Sequence, residues 1–364
     1  MHRHSRRTGT EVSPTAPRGT LKIIPFDSGL SRDWEAYLQR HPDGTFFHGS
    51  AWKKAVERTF GHRFRGLIAT RGSDVAGILP LFEVRSILAG RLLVSIPYAT
   101  YGGILADDAA VSEALFDRAT VLAGKIGARS IELRSIRAAL PSLETQRTHA
   151  TFFKPLPRAP DRVDATFPRK ARAAARRADE RHRLTVVFGD AYLPDVWRLY
   201  ARSMRRLGSP NYPARFFEAL ARSDPGNHVV QLVRYQDRPV AGLLTFLHRD
   251  RVMPYFAGVD ERADLYGLSH FLYRESMRWG VEKGYRIYDF GRTRLDNAGP
   301  FNFKRLCGFE PMMLEYQTAV MPGYAPPDLS PTSTRWKAAR TVWQSLPLTI
   351  TRPLGSWLAR SIPG

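Results

Sequence analysis

Two apolar strand patterns in this chain begin with the same Val-Ala-Gly triplet, at residues 75–77 and 240–242, each after a short polar turn. Further along, a helical pattern ends at a glycine in both places, at Gly127 and at Gly284, and an apolar strand follows. The order strand, turn, strand, helix, glycine, strand therefore occurs twice, which predicts two related lobes. Two such lobes enclose a cleft, and small-molecule sites usually lie in clefts.

Hydrophobic periodicity predicts the individual elements. In the first half we expect a helix at 50–58, strands at 66–70, 75–84 and 92–97, a helix at 111–126 and a strand at Ile131. In the second half we expect helices at 164–182, 190–207 and 213–222, strands at 229–235, 240–247 and 252–259, and a helix followed by a strand within 268–290. The predicted fold class is α/β (α+β): two tandem lobes, each a mixed, mostly antiparallel sheet flanked by helices, with a cleft between them.

Composition divides the chain into four segments. Residues 1–19 are basic and lack the apolar core of a signal peptide, so we expect a disordered tail there. The first lobe is expected at 20–160 and the second at 161–320, opened by a basic helix. Residues 321–364 form a Pro-rich and Trp/Arg-rich C-terminal tail. A chain of 364 residues is long for one core and suits two lobes.

The C-terminal tail mixes tryptophan with arginine, as in Trp336, Trp343 and Trp357. Such a mixture is typical of the headgroup region of a membrane, so peripheral contact with an anionic membrane is one interpretation. The alternative is a segment packed back on the body, which is favoured because Pro347 and Pro353 are expected to break any helix here. We therefore expect a cytoplasmic protein, at the inner face of the membrane if the tail binds lipid.

The charge of the chain is strongly positive, with 55 basic against 34 acidic residues and a formal net charge of +21. This excess predicts attraction to polyanions such as nucleic acid, anionic lipid or phosphorylated substrates. It is also what an arginine-rich, GC-rich genome would produce. The single cysteine, Cys307, excludes an internal disulfide and a Cys-based zinc site, and it fits a reducing compartment. Nothing in the sequence indicates a metal site.

Two stretches of the first and middle part of the chain are candidate binding elements. The loop at 98–103 has two tyrosines and a Gly-Gly pair, whose backbone N–H groups can come close to a ligand, although such pairs also occur in plain turns. In the stretch 167–178, alanines lie on one narrow helical face and basic residues on its flanks. This pattern predicts that the helix binds an anion. The alternative is that its charged face is only solvated.

Two further candidates lie in the second half. The turn at 203–213 follows a helix end, and it either positions a substrate or simply turns the chain. Asp289 stands in a strand of large apolar residues that Gly291 ends, and Arg292 follows, so a carboxylate is expected near a cleft edge with a cation in reach. Lys304 lies on the next element and could place an ammonium beside an oxyanion, although a lone lysine is more often a surface group.

Together these motifs resemble the Fem-like branch of the GNAT acyltransferase superfamily, in particular FemAB-type proteins associated with PEP-CTERM and exosortase exopolysaccharide systems. The resemblance covers about residues 46 to 316 and depends on the order and spacing of its motifs. These motifs are Tyr101-Gly102-Gly103, Pro168-Arg169-Lys170, Leu207-Gly208-Ser209-Pro210, Asp289-Phe290-Gly291-Arg292, Phe303-Lys304 and Gly308-Phe309-Glu310, with Phe47-His48-Gly49-Ser50-Ala51-Trp52 and Gly61-His62 in the first lobe.

The resemblance implies two GNAT-like lobes and the transfer of an acyl group to an amine. Fem proteins take the acyl group from aminoacyl-tRNA and deliver it to a peptidoglycan precursor, whereas other GNAT enzymes use acyl-CoA. This chain departs from the acyl-CoA pattern, because its loop at 263–269 has a single glycine where Arg/Gln-x-x-Gly-x-Gly/Ala is usual. Such a loop offers a poorer backbone cradle for a pyrophosphate. No tightly bound cofactor is expected, and the donor is either aminoacyl-tRNA or acyl-CoA.

The expected function is therefore a Fem-like N-acyltransferase that forms an amide on an amine-bearing cell-envelope or exopolysaccharide precursor, either phosphorylated or nucleotide-linked. We expect Asp289 to orient or deprotonate the amine and Lys304 to stabilise the oxyanion. The expected substrate-binding residues are Tyr98, Tyr101, Gly102, Gly103, Arg169, Lys170, Arg176, Arg206, Tyr212, Tyr255, Ser269, Arg292 and Phe303. The alternatives are an acyl-CoA-dependent N-acetyltransferase and, from another class, a non-catalytic polyanion-binding scaffold that recruits RNA, including tRNA, or a membrane.

Overall fold

The computed structural model describes residues 19–326 and 334–363, and the side chains of 334–338 lie outside this description. The first half contains β1 (Leu21–Pro25), α1 (Ser31–Arg40), α2 (Ser50–Phe60), β2 (Arg63–Phe64), β3 (Leu67–Arg71), β4 (Asp74–Leu79), β5 (Phe82–Ser86), β6 (Gly90–Val94), β7 (Leu105–Ala106), α3 (Ala109–Ile126), β8 (Ser130–Ser135), β9 (Thr145–Gln146) and β10 (His149–Pro155). The second half contains α4 (Arg169–His182), β11 (Thr185–Phe188), α5 (Leu193–Arg206), α6 (Ala214–Ser223), β12 (His228–Tyr235), β13 (Arg238–His248), β14 (Arg251–Val259), α7 (Leu268–Glu282), β15 (Ile287–Asp289), β16 (Thr293–Arg294), α8 (Ala298–Leu306), β17 (Glu310–Met313), β18 (Glu315–Val320), α9 (Thr334–Ser345) and α10 (Leu348–Ala359).

Within the described residues the strands form three sheets, in the orders β1-β3-β4-β7, β2-β5-β6-β8-β18-β9 and β11-β12-β13-β14-β15-β10-β16, with β17 also paired to β10. Most neighbouring strands are antiparallel. Each lobe has one parallel pair whose strands are joined through a helix, β6–α3–β8 in the first and β14–α7–β15 in the second. This repeated unit explains the duplicated pattern in the sequence, and the predicted α/β fold of two tandem lobes is confirmed.

The end of α3 shows why the sequence pattern predicts these helices well. The Asp108 carboxylate accepts a hydrogen bond from the Val111 N–H at the start of the helix, and Gly127 ends it in the left-handed conformation with φ of 65°. A capping carboxylate and a glycine without a Cβ satisfy the two ends of a helix at little cost. The boundaries of α3 are therefore encoded locally.

The two lobes exchange strands across the predicted boundary at 160/161. Strand β10 comes from the first half of the chain but pairs with β15, β16 and β17 in the sheet of the second lobe. Strand β18 comes from the second half but pairs with β8 and β9 in the sheet of the first lobe. The boundary along the chain is therefore not a boundary in space, because two of the three described sheets contain a strand from the other half of the chain.

An aromatic core joins the lobes. The ring of Phe46 stacks on Phe246 with 4.4 Å between centroids, and Trp52 packs edge-to-face on Phe216 at 5.5 Å. All four residues are buried and belong to one cluster that contains side chains of both lobes. Burial of large aromatic surfaces contributes strongly to association, so the relative position of the lobes is fixed by apolar packing as well as by strand pairing.

Two sequence predictions need correction, and two others concern parts of the chain that the structure does not describe. The strand expected at 75–84 is two strands, β4 and β5, because Pro80 lacks the N–H that a continuous ladder requires. Pro347 does separate α9 from α10, but Pro353 lies inside α10 and does not end it. The predicted disorder of residues 1–18 and the Trp336 side chain lie outside the described residues. Among those described, no helix is both long and apolar enough to cross a membrane.

The basic helix α4 packs as its alanine pattern predicts. The buried residues of this helix are Ala171, Ala174, Ala175 and Ala178. This small face lets α4 approach the start of α7 so closely that a Cβ added at Gly267 would lie 2.1 Å from the Ala174 carbonyl oxygen. Gly267 also has φ of 83°, in the left-handed region. A glycine is therefore required at this position for both backbone conformation and space.

We predict that Gly267→Ala destabilises the fold by more than about 2 kcal/mol, because it adds a backbone clash to the cost of the left-handed conformation. The matched control is Gly284→Ala. Gly284 has a similar φ of 87°, but nothing lies within 4 Å of an added Cβ, so its cost should be about 1 kcal/mol. Denaturant unfolding followed by circular dichroism measures both. Equal costs for the two variants would contradict the close approach of α4.

Candidate active site

Asp289 lies where two parallel strands part. Strand β14 pairs with β15 only at Arg251–Ile287 and Val252–Tyr288, and the next residue of β15 is Asp289. On its other side Asp289 pairs with Phe153 of β10. The side chain is fully buried. The separation of the strands at this point opens space beside the carboxylate, as strand ends commonly do in ligand sites.

Each oxygen of the Asp289 carboxylate accepts a hydrogen bond. Oδ1 accepts from the Gly291 N–H at 2.9 Å, within the same lobe. Oδ2 accepts from the hydroxyl of Tyr101, which comes from the first lobe. The only sequence-predicted catalytic carboxylate and a predicted pocket tyrosine therefore meet across the lobe boundary.

A narrow pocket between the lobes reaches Asp289. Thr45, Phe46 and Tyr101 form its first-lobe side, and its second-lobe side is formed by Phe246, His248, Arg251, Met253 and Asp289. Tyr101 also lines a second, adjacent pocket within the first lobe, together with Gly102, Gly103, His48, Ser135 and Arg137. Of the predicted pocket residues, Tyr101 therefore lines the pocket at Asp289, whereas Gly102 and Gly103 line only the neighbouring one.

Burial shifts the pKa values of two titratable groups in the pocket, Asp289 and His248. Burial raises the pKa of the Asp289 carboxyl to about 7, against the opposing effects of the Gly291 N–H and the Lys304 charge. Burial lowers the pKa of the His248 imidazole to about 4, with the nearby Arg249 and Arg251 acting in the same direction. At neutral pH the histidine is therefore uncharged, and Asp289 can exchange a proton.

Lys304 is almost fully buried, and its charge interacts with that of Asp289. Its ammonium donates to the carbonyl oxygens of Gly291 at 2.8 Å and Arg292 at 3.2 Å. It also faces the rings of Phe152 and Phe290 at 5.1 and 5.2 Å. Burial lowers the pKa of this ammonium to about 7, and the Asp289 charge opposes the change. Lys304 thus braces the loop that supplies the Gly291 N–H, and it lines neither pocket described above.

Arg292 connects the second lobe to the loop that bears Tyr101. Its guanidinium donates to the Tyr316 hydroxyl at 3.1 Å, and that hydroxyl donates to the carbonyl oxygen of Thr100. Phe303, another predicted binding residue, packs instead against His270 at 5.0 Å and Phe290 at 6.2 Å. Arg292 and Phe303 are both predicted to bind substrate, but their contacts in the structure are with other parts of the protein.

The loop at 98–103 differs from its predicted role in one respect. The Gly102 N–H donates to the carbonyl oxygen of Arg134 at 2.8 Å, so it is not directed at a ligand. The glycines are needed for packing, because an added Cβ would lie 2.0 Å from Ile96 Cδ1 at Gly102 and 2.1 Å from Ser135 Oγ at Gly103. A close approach between β8 and the loop, rather than a backbone cradle, explains this Gly-Gly pair.

Three predicted tyrosines belong to the core around the loop. The Tyr98 hydroxyl is within 2.6 Å of His62 Nε2, and the Tyr98 carbonyl accepts a hydrogen bond from the Tyr255 hydroxyl at 2.6 Å. Tyr212 packs edge-to-face on Tyr98 at 5.3 Å. None of the three lines the pocket at Asp289. They fix the loop that presents Tyr101.

Five other predicted substrate-binding residues are not brought to the pocket at Asp289. Arg169, Lys170 and Arg176 lie on the exposed face of α4, and Arg176 is 3.6 Å from Glu180. Arg206 pairs with Glu261 at 2.9 Å on the surface. Ser269 lies in the first turn of α7, which α4 covers. Anion binding by the basic residues of α4 remains a prediction, and it concerns a surface separate from the pocket.

Sequence reasoning missed His248 and Arg251 of the pocket. His248 ends a long apolar strand, and its Nε2 is buried without a hydrogen-bond partner in the part of the chain that the structure describes. Arg251 begins the next strand and faces the ring of Phe153 at 5.4 Å. Polar residues at the turn between two apolar strands were the available signal. Among residues 19–326 and 334–363, no cluster of His, Cys, Asp or Glu could hold a metal ion.

Comparison with known proteins agrees with this fold. Residues 165–305 match the family model described as an acetyltransferase (GNAT) domain. No curated protein matches the chain. Three solved structures have a similar fold: FemX (16% identity, 82% of this chain and 97% of that chain, TM-score 0.63), a tandem GNAT protein from the clavulanic acid biosynthesis pathway (13%, 83% and 98%, 0.52) and L-PGS from Bacillus licheniformis (14%, 81% and 93%, 0.53).

These matches define a fold. Part of the second lobe matches the GNAT acetyltransferase domain model, and the two lobes together have a fold similar to that of FemX and of the tandem GNAT protein. The association with PEP-CTERM and exosortase systems remains a prediction from sequence motifs.

We predict that Asp289→Asn changes how stability depends on pH. The folded carboxyl has a pKa of about 7, whereas the unfolded value is about 4. Between these values the native state retains a proton that the unfolded chain releases, so the contribution of Asp289 to stability falls as pH rises from about 4 to about 7. The unfolding free energy of wild type relative to Asp289→Asn should therefore fall by on the order of 2 to 4 kcal/mol across this window.

Urea unfolding at a series of pH values measures this difference. The control is Asp74→Asn, which removes an exposed carboxylate at the start of β4 and should give a nearly constant difference. A constant difference for Asp289→Asn as well would contradict a raised pKa at Asp289.

Proposed function

We propose that this protein is a Fem-like N-acyltransferase that forms an amide on an amine-bearing cell-envelope or exopolysaccharide precursor. The observation that carries the proposal is the buried Asp289 carboxylate, which lies at the inter-lobe pocket and is held by the Tyr101 hydroxyl of the opposite lobe. A single carboxylate with a pKa near neutrality suits the removal of a proton from an attacking amine. The GNAT match of the second lobe supports the reaction class.

In the proposed reaction the acceptor amine attacks the carbonyl carbon of an ester or thioester donor. A C–N bond forms, and the C–O or C–S bond of the donor breaks. Asp289 accepts the proton that the amine loses, and this proton then passes to the leaving oxygen or sulfur. No covalent enzyme intermediate is needed, so the main tasks of the protein are alignment and proton transfer.

The other pocket residues suit the recognition of the acceptor. Arg251 makes no ion pair among the described contacts, and it lines the same pocket as Asp289. A guanidinium that lines the same pocket as a carboxylate can bind the anionic part of a substrate whose amine contacts the acid. The neutral His248 offers an unpaired ring nitrogen for a further hydrogen bond. Lys304 acts as a positioning residue in this scheme, since it holds the carbonyls of the loop beside Asp289.

The packing of α4 on α7 supports an aminoacyl-tRNA donor over acyl-CoA. The single glycine of the 263–269 loop, Gly267, is in contact with the backbone of Ala174. Helix α4 therefore fills the space beside Gly267, which leaves less room for a pyrophosphate at the start of α7. The exposed face of α4 is basic, which suits a large polyanionic donor. An acyl-CoA donor is the alternative.

The function is tested by offering the purified protein charged tRNA and acyl-CoA separately, with amine-bearing sugar and peptide acceptors. Mass spectrometry should detect a new amide with wild type, and Asp289→Asn should lower kcat/KM by at least about a hundredfold. The control is Asp237→Asn, an exposed turn carboxylate that should retain full activity. Polyanion binding without any amide product, from either donor, would favour the non-catalytic scaffold.

We predict that Tyr101→Phe shifts the pH profile of the reaction. In wild type the rate should rise with pH through the Asp289 pKa of about 7. The Tyr101 hydroxyl donates to the carboxylate and stabilises its charged form, so its loss should raise that pKa and move the acidic limb of kcat/KM to higher pH. We expect kcat to fall by about tenfold with KM nearly unchanged. An unshifted limb would show that the tyrosine does not act through Asp289.

A further inference from the structure

The C-terminal helix α10 is packed with its small residues inward and its large residues outward. The buried residues of α10 are Thr351, Gly355 and Ala359. An added Cβ at Gly355 would lie 2.6 Å from Asn211 Oδ1, so the helix rests tightly on the body through this small face. The opposite positions, spaced as i, i+4 and i+7, carry exposed apolar side chains: Ile350 (46% exposed), Leu354 (38%) and Trp357 (60%).

A second exposed apolar feature adjoins the end of α10. Ile87 and Leu88 form the tip of the β5–β6 hairpin and are 66% and 51% exposed. The Ser86 hydroxyl at the base of this tip donates to the Ser361 carbonyl oxygen, just after α10, at 2.7 Å. This hydrogen bond attaches the base of the hairpin tip to the segment that follows α10.

A cationic groove of about 510 Å³ adjoins both apolar features. Its charged lining residues are Arg63, Arg65, Arg85, Arg91, Lys125, Arg360 and a single acid, Glu83. Arg65, Arg85 and Arg91 share the Glu83 carboxylate. Within the described part of the chain, Arg63, Lys125 and Arg360 form no ion pair. Arg85 and Arg91 flank the hairpin tip, and Arg360 follows α10, so cations lie beside the exposed apolar residues.

This combination has the chemistry of an anionic bilayer surface. Large apolar side chains that protrude from a helix and a hairpin remove their surface from water when they enter the boundary between headgroups and acyl chains. Arginine and lysine beside them interact with the phosphates of anionic lipids. A nucleic acid or free phosphate would account for the groove but not for exposed Ile87, Leu354 and Trp357.

We propose that α10, the β5–β6 hairpin tip and the cationic groove form a docking surface for an anionic phospholipid bilayer. The side chains of Ile350, Leu354 and Trp357, with those of the tip, insert into the headgroup boundary. The groove receives lipid phosphates. This proposal concerns a surface separate from the pocket at Asp289, so it holds or fails independently of the proposed reaction.

Cosedimentation of the full-length protein with vesicles tests the proposal. Vesicles of phosphatidylcholine mixed with phosphatidylglycerol should bind at least about tenfold more protein than phosphatidylcholine alone. Trp357→Gln should weaken binding by roughly tenfold, because an inserted tryptophan buries a large apolar area. Arg360→Gln should weaken it by about fivefold. Brominated lipid should quench the wild-type tryptophan fluorescence, and the quenching should be reduced in Trp357→Phe.

Two control variants match the exposure and charge of these substitutions elsewhere on the surface. Leu306→Gln changes a residue that is 61% exposed on α8, and Arg238→Gln removes an exposed cation at the start of β13. Both should bind vesicles like wild type, and circular dichroism confirms that all variants are folded. The proposal is overturned by equal binding to both vesicle types, or by test variants that bind like the controls.

Two further outcomes would assign the surface to another partner. If the protein binds an RNA hairpin but no vesicles, and Trp357→Gln and Arg360→Gln weaken that RNA binding, the surface binds nucleic acid. If sedimentation velocity shows a dimer that Trp357→Gln dissociates, the surface is covered by a second copy of the chain. Either result overturns the lipid proposal.

Discussion

The reciprocal exchange of β10 and β18 between the two lobes is the constraint on which the site depends. Each strand leaves its own half of the chain and completes the sheet of the other. Strand pairing fixes register to a single residue, because a slip by one residue reverses which face each side chain occupies. The pairing of Phe153 with Asp289 therefore fixes the position of the carboxylate along β10, and with it the position relative to the first lobe. Tyr101 can meet Asp289 only because the lobes are held in this way.

The same arrangement puts two opposite charges in an apolar interior. Burial moves the pKa of Asp289 up and that of Lys304 down, each to about 7. The loop between them is used by both groups: the Gly291 N–H donates to the acid, and the Gly291 carbonyl accepts from the ammonium. Buried charges are tolerated when their hydrogen bonds are satisfied, and here that requirement also fixes the shape of the loop at the end of β15.

The end of the chain is connected to this site through backbone contacts. The Pro363 carbonyl accepts hydrogen bonds from the Tyr98 N–H at 2.6 Å and from the Arg134 guanidinium at 3.1 Å. Tyr98 begins the loop that carries Tyr101, and its conformation is held at φ of 66°. The proposed bilayer-docking helix is thus joined to the wall of the proposed reaction site. The proposed membrane contact and the proposed acyl transfer would then both depend on the hydrogen bonds between Pro363, Tyr98 and Arg134.

The sequence by itself determined the local features of this protein. Alternating and helical patterns gave the repeated unit, the capping of α3 by Asp108 and Gly127 is local, and Asp289 stood out as an acid in an apolar strand. Tertiary structure alone decided the rest. The strand exchange joins residues far apart in the chain, such as Tyr101 and Asp289, and no local pattern encodes such pairing. His248 and Arg251 became pocket residues only because two lobes meet there, whereas the arginines of α4, prominent in the sequence, lie on a separate face because its alanines pack inward.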